Sequence, residues 1–196
     1  MSFLSPDALR YVEENQQALV DLIARLCAIP APSNHEQQRA AFCRQWLEEA
    51  GAREVFIDDA LNVICPIGCE GDGPISLFAA HTDTVFPDTE PFTPRVENGR
   101  MYCPGVGDDT ANLAVLLLCA KYVLQNGLKP GTGGVVFAAN SAEEGLGNLK
   151  GARALMERYG RRVRQFISFD GGYPDVCCRA VGSSRYRVEV LTEGGH

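Results

Sequence analysis

Four short stretches put ionisable side chains where the chain turns from apolar to polar. They are His81 and Asp83 in AAHTDTV (79–85), Asp108 and Asp109 in GVGDD (105–109), Glu143 and Glu144 in NSAEEG (140–145), and Asp170 in SFDGG (168–172). One imidazole and several carboxylates gathered in one cleft would repel one another unless a cation neutralised them. A donor set of nitrogen and carboxylate oxygen without thiolate suits zinc, with manganese or cobalt as alternatives. Each stretch alone also has a plainer reading. His-x-Asp can end a surface strand, Asp-Asp can cap a helix, and Glu-Glu before glycine can be a solvated turn. The GVG before Asp108 could suggest a phosphate loop, but two carboxylates at that helix start would repel a phosphate.

What separates the joint reading from four coincidences is where the elements place them. ISLFAA (75–80), GGVVFAAN (133–140) and QFISFD (165–170) are apolar runs of strand length, and the charges follow their C-terminal ends. REVFI (53–57) and NVICPI (62–67) add two more strand signals. Helical spacing runs from the Ser5-Pro6 cap through Val12, Leu19, Leu22, Ile23 and Leu26, and Pro30 and Pro32 stop it. Ser33-Asn34-His35-Glu36 matches a capping box for a second helix that ends at Gly51. Further helices are expected over about 109–126 and 148–160. Strands alternating with helices predict an α/β fold, a three-layer mixed sheet with helices on both faces. In such sheets ligands bind beyond the carboxyl ends of the strands, where the four stretches fall.

After Asp170 the texture changes. RYRVEVL (185–191) alternates polar and apolar residues like a half-exposed antiparallel strand, so a catalytic unit is expected over 1–178 and the start of an α+β lid domain over 179–196.

The 196 residues suffice for a well-buried core, and a net charge of −7 argues against a nucleic-acid or anionic-membrane partner. The opening MSFLSPDALRYVEE meets acidic residues too early for a secretory leader, and LAVLLLCA (113–120) is too short to span a bilayer. Eight cysteines without a CxxC pair read as reduced, mostly buried thiols of a cytoplasmic protein.

AAHTDTV, GVGDDTANLA, NSAEEGLGNLKGA, SFDGG and the closing GGH, taken in this order, resemble the co-catalytic di-zinc hydrolases. That family includes peptidase T, glutamate carboxypeptidase, aminoacylases and succinyl-diaminopimelate desuccinylase. The resemblance implies a zinc-exopeptidase-like catalytic domain in which His81, Asp108 and Asp170 hold one zinc and Asp108 bridges to a second held by Glu144. Asp83 would orient His81, Glu143 would be the general base and acid, and the peptide bond after Asp108 would be cis. His196 resembles a lid histidine that reaches a partner's oxyanion, which implies a homodimer formed through the lid. Aspartate at 170 goes with peptidase-type relatives and points to small peptides as substrate, with N-acyl amino acids as the alternative.

Two departures from the family pattern stand out. Thr110-Ala111 replaces the Lys-Gly that often follows Asp-Asp, which removes no ligand. The second metal's histidine would come from far downstream, and His35, at a helix start, is not a substitute. The chain is therefore expected to be the N-terminal half of a longer protein, inactive by itself. The competing reading is a non-enzymatic metal-binding chain.

Overall fold

The computed structural model describes residues 4–128, 131–172, 175–184 and 186–195. Three helices come first: α1 (Pro6–Glu14), α2 (Gln16–Cys27) and α3 (Gln37–Glu49). Ser5 caps α1 as its position predicts, its hydroxyl accepting from Ala8 N–H. The single helix expected up to Pro30 is instead two, interrupted at Asn15, whose side-chain amide donates to the Tyr11 carbonyl. The capping box does not form: α3 begins after Glu36 without a side-chain cap.

Strands β1 (Phe56–Ile57), β2 (Val63–Ile67) and β3 (Ile75–His81) follow, then a hairpin of β4 (Arg95–Glu97) and β5 (Arg100–Tyr102) that the sequence reading passed over as loop. Helix α4 (Ala111–Gln125), strand β6 (Gly134–Asn140), helix α5 (Lys150–Tyr159) and strand β7 (Val163–Ser168) complete the regular structure. The main sheet has the order β1-β2-β6-β3-β7 and is mixed: β3 runs parallel to both β6 and β7, whereas β2 is antiparallel to β6.

Apolar residues fill both faces of this sheet, which is why helices cover both. On one side Leu22 and Leu26 of α2, Cys43 and Leu47 of α3 and Leu113 and Leu117 of α4 pack with Val63, Cys65, Ala80 and Ala139. On the other, Leu155 of α5 packs with Ile64, Ile75, Leu77, Val136 and Ala138. The expected three layers are present.

The chain leaves β3 through α4 to reach β6 on one side of it, then crosses by α5 on the opposite face to reach β7 on its other side. Reversal of direction about β3 splays the connections apart, and in such sheets ligands bind beyond the C-terminal end of the strand where this happens. His81 is the last residue of that strand.

Residues 175–184 and 186–195 are exposed and carry no regular structure, so 186–191 do not form the strand expected there. An alternating segment needs a neighbouring strand to take up its backbone groups, and none lies beside it among the described residues. All eight cysteines are free thiols, but only Cys27, Cys43 and Cys65 are buried, fewer than expected.

Candidate metal centre

Register brings the charged stretches together. His81 pairs with Asn140 across the parallel β3–β6 ladder, so Glu143 and Glu144 emerge just beyond the same rim. Ala79 pairs with Ser168 of β7, placing Asp170 two residues past that strand's end. Asp108 and Asp109 lie in a wide turn, Val106–Thr110, that leads into α4, and the peptide bond between them is cis.

Ligand atoms of His81, Asp108 and Glu144 lie within 4.8 Å of one another, and so do those of His81, Glu143 and Asp170. Two donors on one zinc, each about 2.0–2.2 Å from it, can stand up to about 4.4 Å apart, so small side-chain movements would close either group around an ion. His81 is common to both groups. This grouping differs from the partition that the resemblance implies: no group contains both Asp108 and Asp170, and Glu143 stands among candidate donors rather than apart from them.

Backbone contacts hold the imidazole. His81 Nδ1 lies 3.0 Å from the Asp83 carbonyl oxygen and 3.4 Å from Asp83 Oδ1, while Nε2 lies 3.0 Å from Asp108 Oδ1. Nδ1 is thus occupied from within the fold, and Nε2 is the nitrogen that faces the carboxylates. His81 N–H donates to Asp109 Oδ2 at 2.9 Å, and Asn112 donates to Asp109 Oδ1 at 2.7 Å, so the second aspartate ties the wide turn to the strand end. Asp83 is fully buried and accepts from Ser33 Oγ at 2.6 Å and from the N–H groups of Glu143 and Glu144 at 3.0 Å each.

The electrostatics fit an anionic cluster that prefers a cation. Burial would depress His81, but hydrogen bonding to Asp83 and the charges of Asp109 and Asp83 override it and push its pKa up to about 10. Burial raises Glu143 above the usual carboxylate range, and Asp170 and Glu144 add to that against the opposing charge of His81. Glu144 is raised by burial and by Asp108. Asp83 goes the other way: burial would raise it, but its hydrogen bonds from His81, Ser33 and the two glutamate amides lower it, so it stays ionised.

His35 is exposed and belongs to neither of these groups. His196 lies outside the described residues. Sequence reasoning missed Ser33 and Glu36, which it assigned to a helix cap, and Arg39, whose buried guanidinium donates to the carbonyls of Ile29 and Thr82 beneath the site.

Residues 77–194 match the model of Peptidase family M20/M25/M40. A protein of Pyrococcus abyssi named as a LysW-lysine/LysW-ornithine hydrolase is 35% identical over 136 residues, covering 69% of this chain and 36% of its own. Succinyl-diaminopimelate desuccinylase of Nitrosococcus oceani is 34% identical over 94 residues, covering 43% of this chain and 25% of its own. Among solved structures, aminopeptidase PepT from Bacillus cereus superposes with a TM-score of 0.64 at 25% identity, over 80% of this chain and 44% of that one. The matched region thus covers less than half of each of these relatives.

Proposed function

The chain belongs to peptidase family M20/M25/M40, and from that premise we propose that it carries the hydrolytic centre of a two-zinc enzyme that cleaves a peptide or amide bond in a small substrate. The observation that carries this reading is the convergence of His81 with Asp108 and Glu144, and with Glu143 and Asp170, at one sheet rim; His81 Nε2 can serve one ion of the pair, and the other would be held by the carboxylates. His81, Asp108, Glu144 and Asp170 would hold the ions, with manganese or cobalt as substitutes for zinc. When bound, such a pair lowers the pKa of a water and polarises the scissile carbonyl.

The chain's own residues do the rest. Asp83 fixes His81 so that Nε2 faces the site, and through the amides of Glu143 and Glu144 it also fixes the turn that bears both. Glu143 accepts the proton from the attacking water and later returns it to the departing amine. Its raised pKa suits a group that must do both near neutrality. Adjacency lets Glu144 serve as a ligand while Glu143 stays free for protons.

Small peptides are the substrate proposed, in line with Asp170 and the PepT likeness. N-acyl amino acids are the second reading, favoured by the desuccinylase relative. The same proposal divides the chain into a catalytic unit over 1–178 and a lid beginning at 179, places a homodimer contact and His196 in that lid, and draws the second metal's histidine from a longer form. Cytoplasmic location is part of it, supported by eight free thiols.

Zinc per chain, measured by mass spectrometry, together with hydrolysis of a tripeptide and an N-succinyl amino acid, tests the reading. The 196-residue chain should bind one zinc without turnover, and a form extended to relatives' length two zincs with turnover. An extended form that binds zinc but hydrolyses neither substrate would favour a non-enzymatic scaffold.

A further inference from the structure

Hydrolysis at this rim depends on where two consecutive glutamates point, and three consecutive backbone amides decide that. Ala142 N–H donates to Glu36 Oε1 at 2.9 Å, Glu143 N–H to Asp83 Oδ1 at 3.0 Å and Glu144 N–H to Asp83 Oδ2 at 3.0 Å. Each amide therefore ends on an oxygen of a fully buried carboxylate. Both carboxylates are in turn gripped by the segment before α3: Ser33 Oγ donates to Asp83 Oδ2 at 2.6 Å, and Asn34 N–H to Glu36 Oε1 at 2.8 Å.

Glu36 is placed oddly for a residue that merely starts a helix. Its bonded oxygen reaches an amide 106 positions away, and Oε2 is buried without a hydrogen-bond partner among the described residues. Ala142 has φ +50°, a left-handed conformation that a residue with a Cβ rarely adopts unless its surroundings impose it. A charge-assisted bond to the Ala142 amide is the kind of contact that can impose it.

We propose that Glu36, assisted by Ser33, is the positioning residue for the Glu143–Glu144 turn. It holds the Ala142 peptide in the left-handed conformation, and Asp83 holds the next two amides, so that both glutamate side chains leave the strand end towards His81. The consequence for metal binding rests on the two-zinc reading; the wiring of the turn does not.

The test uses the 196-residue chain with Glu36→Gln and Ser33→Ala. Three quantities are read: amide hydrogen exchange at Ala142, Glu143 and Glu144 by NMR, the zinc dissociation constant by competition with a chromophoric chelator, and the melting temperature. Glu36→Gln should speed exchange at Ala142 about tenfold relative to Ala138 and Ala139 of β6, since a neutral acceptor makes roughly half as strong a bond. Zinc affinity should fall about 10–100-fold, the usual effect of losing a residue that orients a ligand. Ser33→Ala, which removes a bond to Asp83, should act on Glu144 in the same direction and more weakly, and Glu36→Asp, which keeps the carboxyl but shortens its reach to Ala142, carries the test if Glu36→Gln does not fold.

Unchanged exchange and unchanged zinc affinity in a folded variant would overturn the proposal. So would a melting loss with exchange rising evenly along β6. Faster exchange at the three amides in a chain that never binds zinc would keep the positioning role and refute the metal reading. Tight zinc in the parent chain with no response in either variant would do the reverse.

Discussion

At the scale of single residues, the site works by giving neighbouring side chains unlike surroundings. Glu143 and Glu144 are adjacent in sequence, yet Glu144 groups with Asp108 and Glu143 with Asp170. If Glu143 carries the proton as proposed, replacing it should leave metal binding in place: in a form extended to relatives' length, Glu143→Gln should retain zinc and lose about 10²–10⁴-fold in turnover, the usual range for an acid–base group. Near-parental turnover would remove Glu143 from the chemistry. The imidazole makes a second, pH-dependent prediction. His81 titrates at about 10 rather than 6.5, so the stability that its proton contributes is fully present below about pH 6.5 and is lost as pH rises through about 10. Asp109, pushed by burial up to about 7 from 3.8, works in the same direction at lower pH, because the folded chain holds its proton more tightly than the unfolded one. With chelator present, the melting temperature should therefore fall as pH rises from 6 to 10. Added zinc should stabilise more as pH rises, because the ion needs the unprotonated imidazole. A melting temperature that climbs with pH in chelator would contradict the charge arrangement. The candidate residues His81, Asp83, Glu143, Glu144 and Asp170 were legible because each follows an apolar run, and Asp108 because it stands where the apolar helix begins. Ser33 and Glu36 were not, since a capping box has the same local sequence as a donor to one distant residue and an acceptor from another.

At the scale of elements, the rim is built by strand ends and by the helices that brace them. Asn62 joins the antiparallel edge to the turn: its Oδ1 accepts from Ser141 N–H at 3.0 Å and its Nδ2 donates to the Gly151 carbonyl at 3.0 Å. Gly151 N–H donates to the Ser141 carbonyl at 3.1 Å, so the first turn of α5 lies directly on the peptide that precedes Ala142. A Cβ at 151 would run into Asn62 Oδ1 and the Ser141 backbone. Gly151→Ala should therefore cost about 1–3 kcal/mol by overpacking, measured by urea denaturation, even though alanine is the better helix former. A stabilised variant would mean that α5 is free to move away from the turn. Element positions were largely readable from periodicity, with errors where tertiary contacts decide. REVFI became two strand residues because only Phe56 and Ile57 find partners in β2. The first helix broke at Asn15, where Tyr11 turns its hydroxyl to the Leu118 carbonyl of α4 and its ring to Tyr122. Neither partner is visible in a local window.

At the scale of the whole molecule, two helical layers enclose most of the sheet but not all of it. β7 is an edge strand whose Phe166 and Ile167 stay exposed, and the described residues beyond it gain no regular structure. The apolar run QFISFD predicts a strand and cannot reveal on which side it will lack a neighbour. Among the described residues no helix is long and apolar enough to cross a membrane. The reversal of topology about β3 is what gathers acidic groups from positions 83 to 170 into one crevice, and a cation at that point is the central claim. Crystals of the 196-residue chain soaked in zinc, with anomalous data collected at the zinc absorption edge, test it most directly. A peak about 2.0–2.2 Å from His81 Nε2, with Asp108 or Asp170 carboxylate oxygens beside it, is the predicted result. No peak at the rim, or one only at His35 or the exposed cysteines, would contradict it.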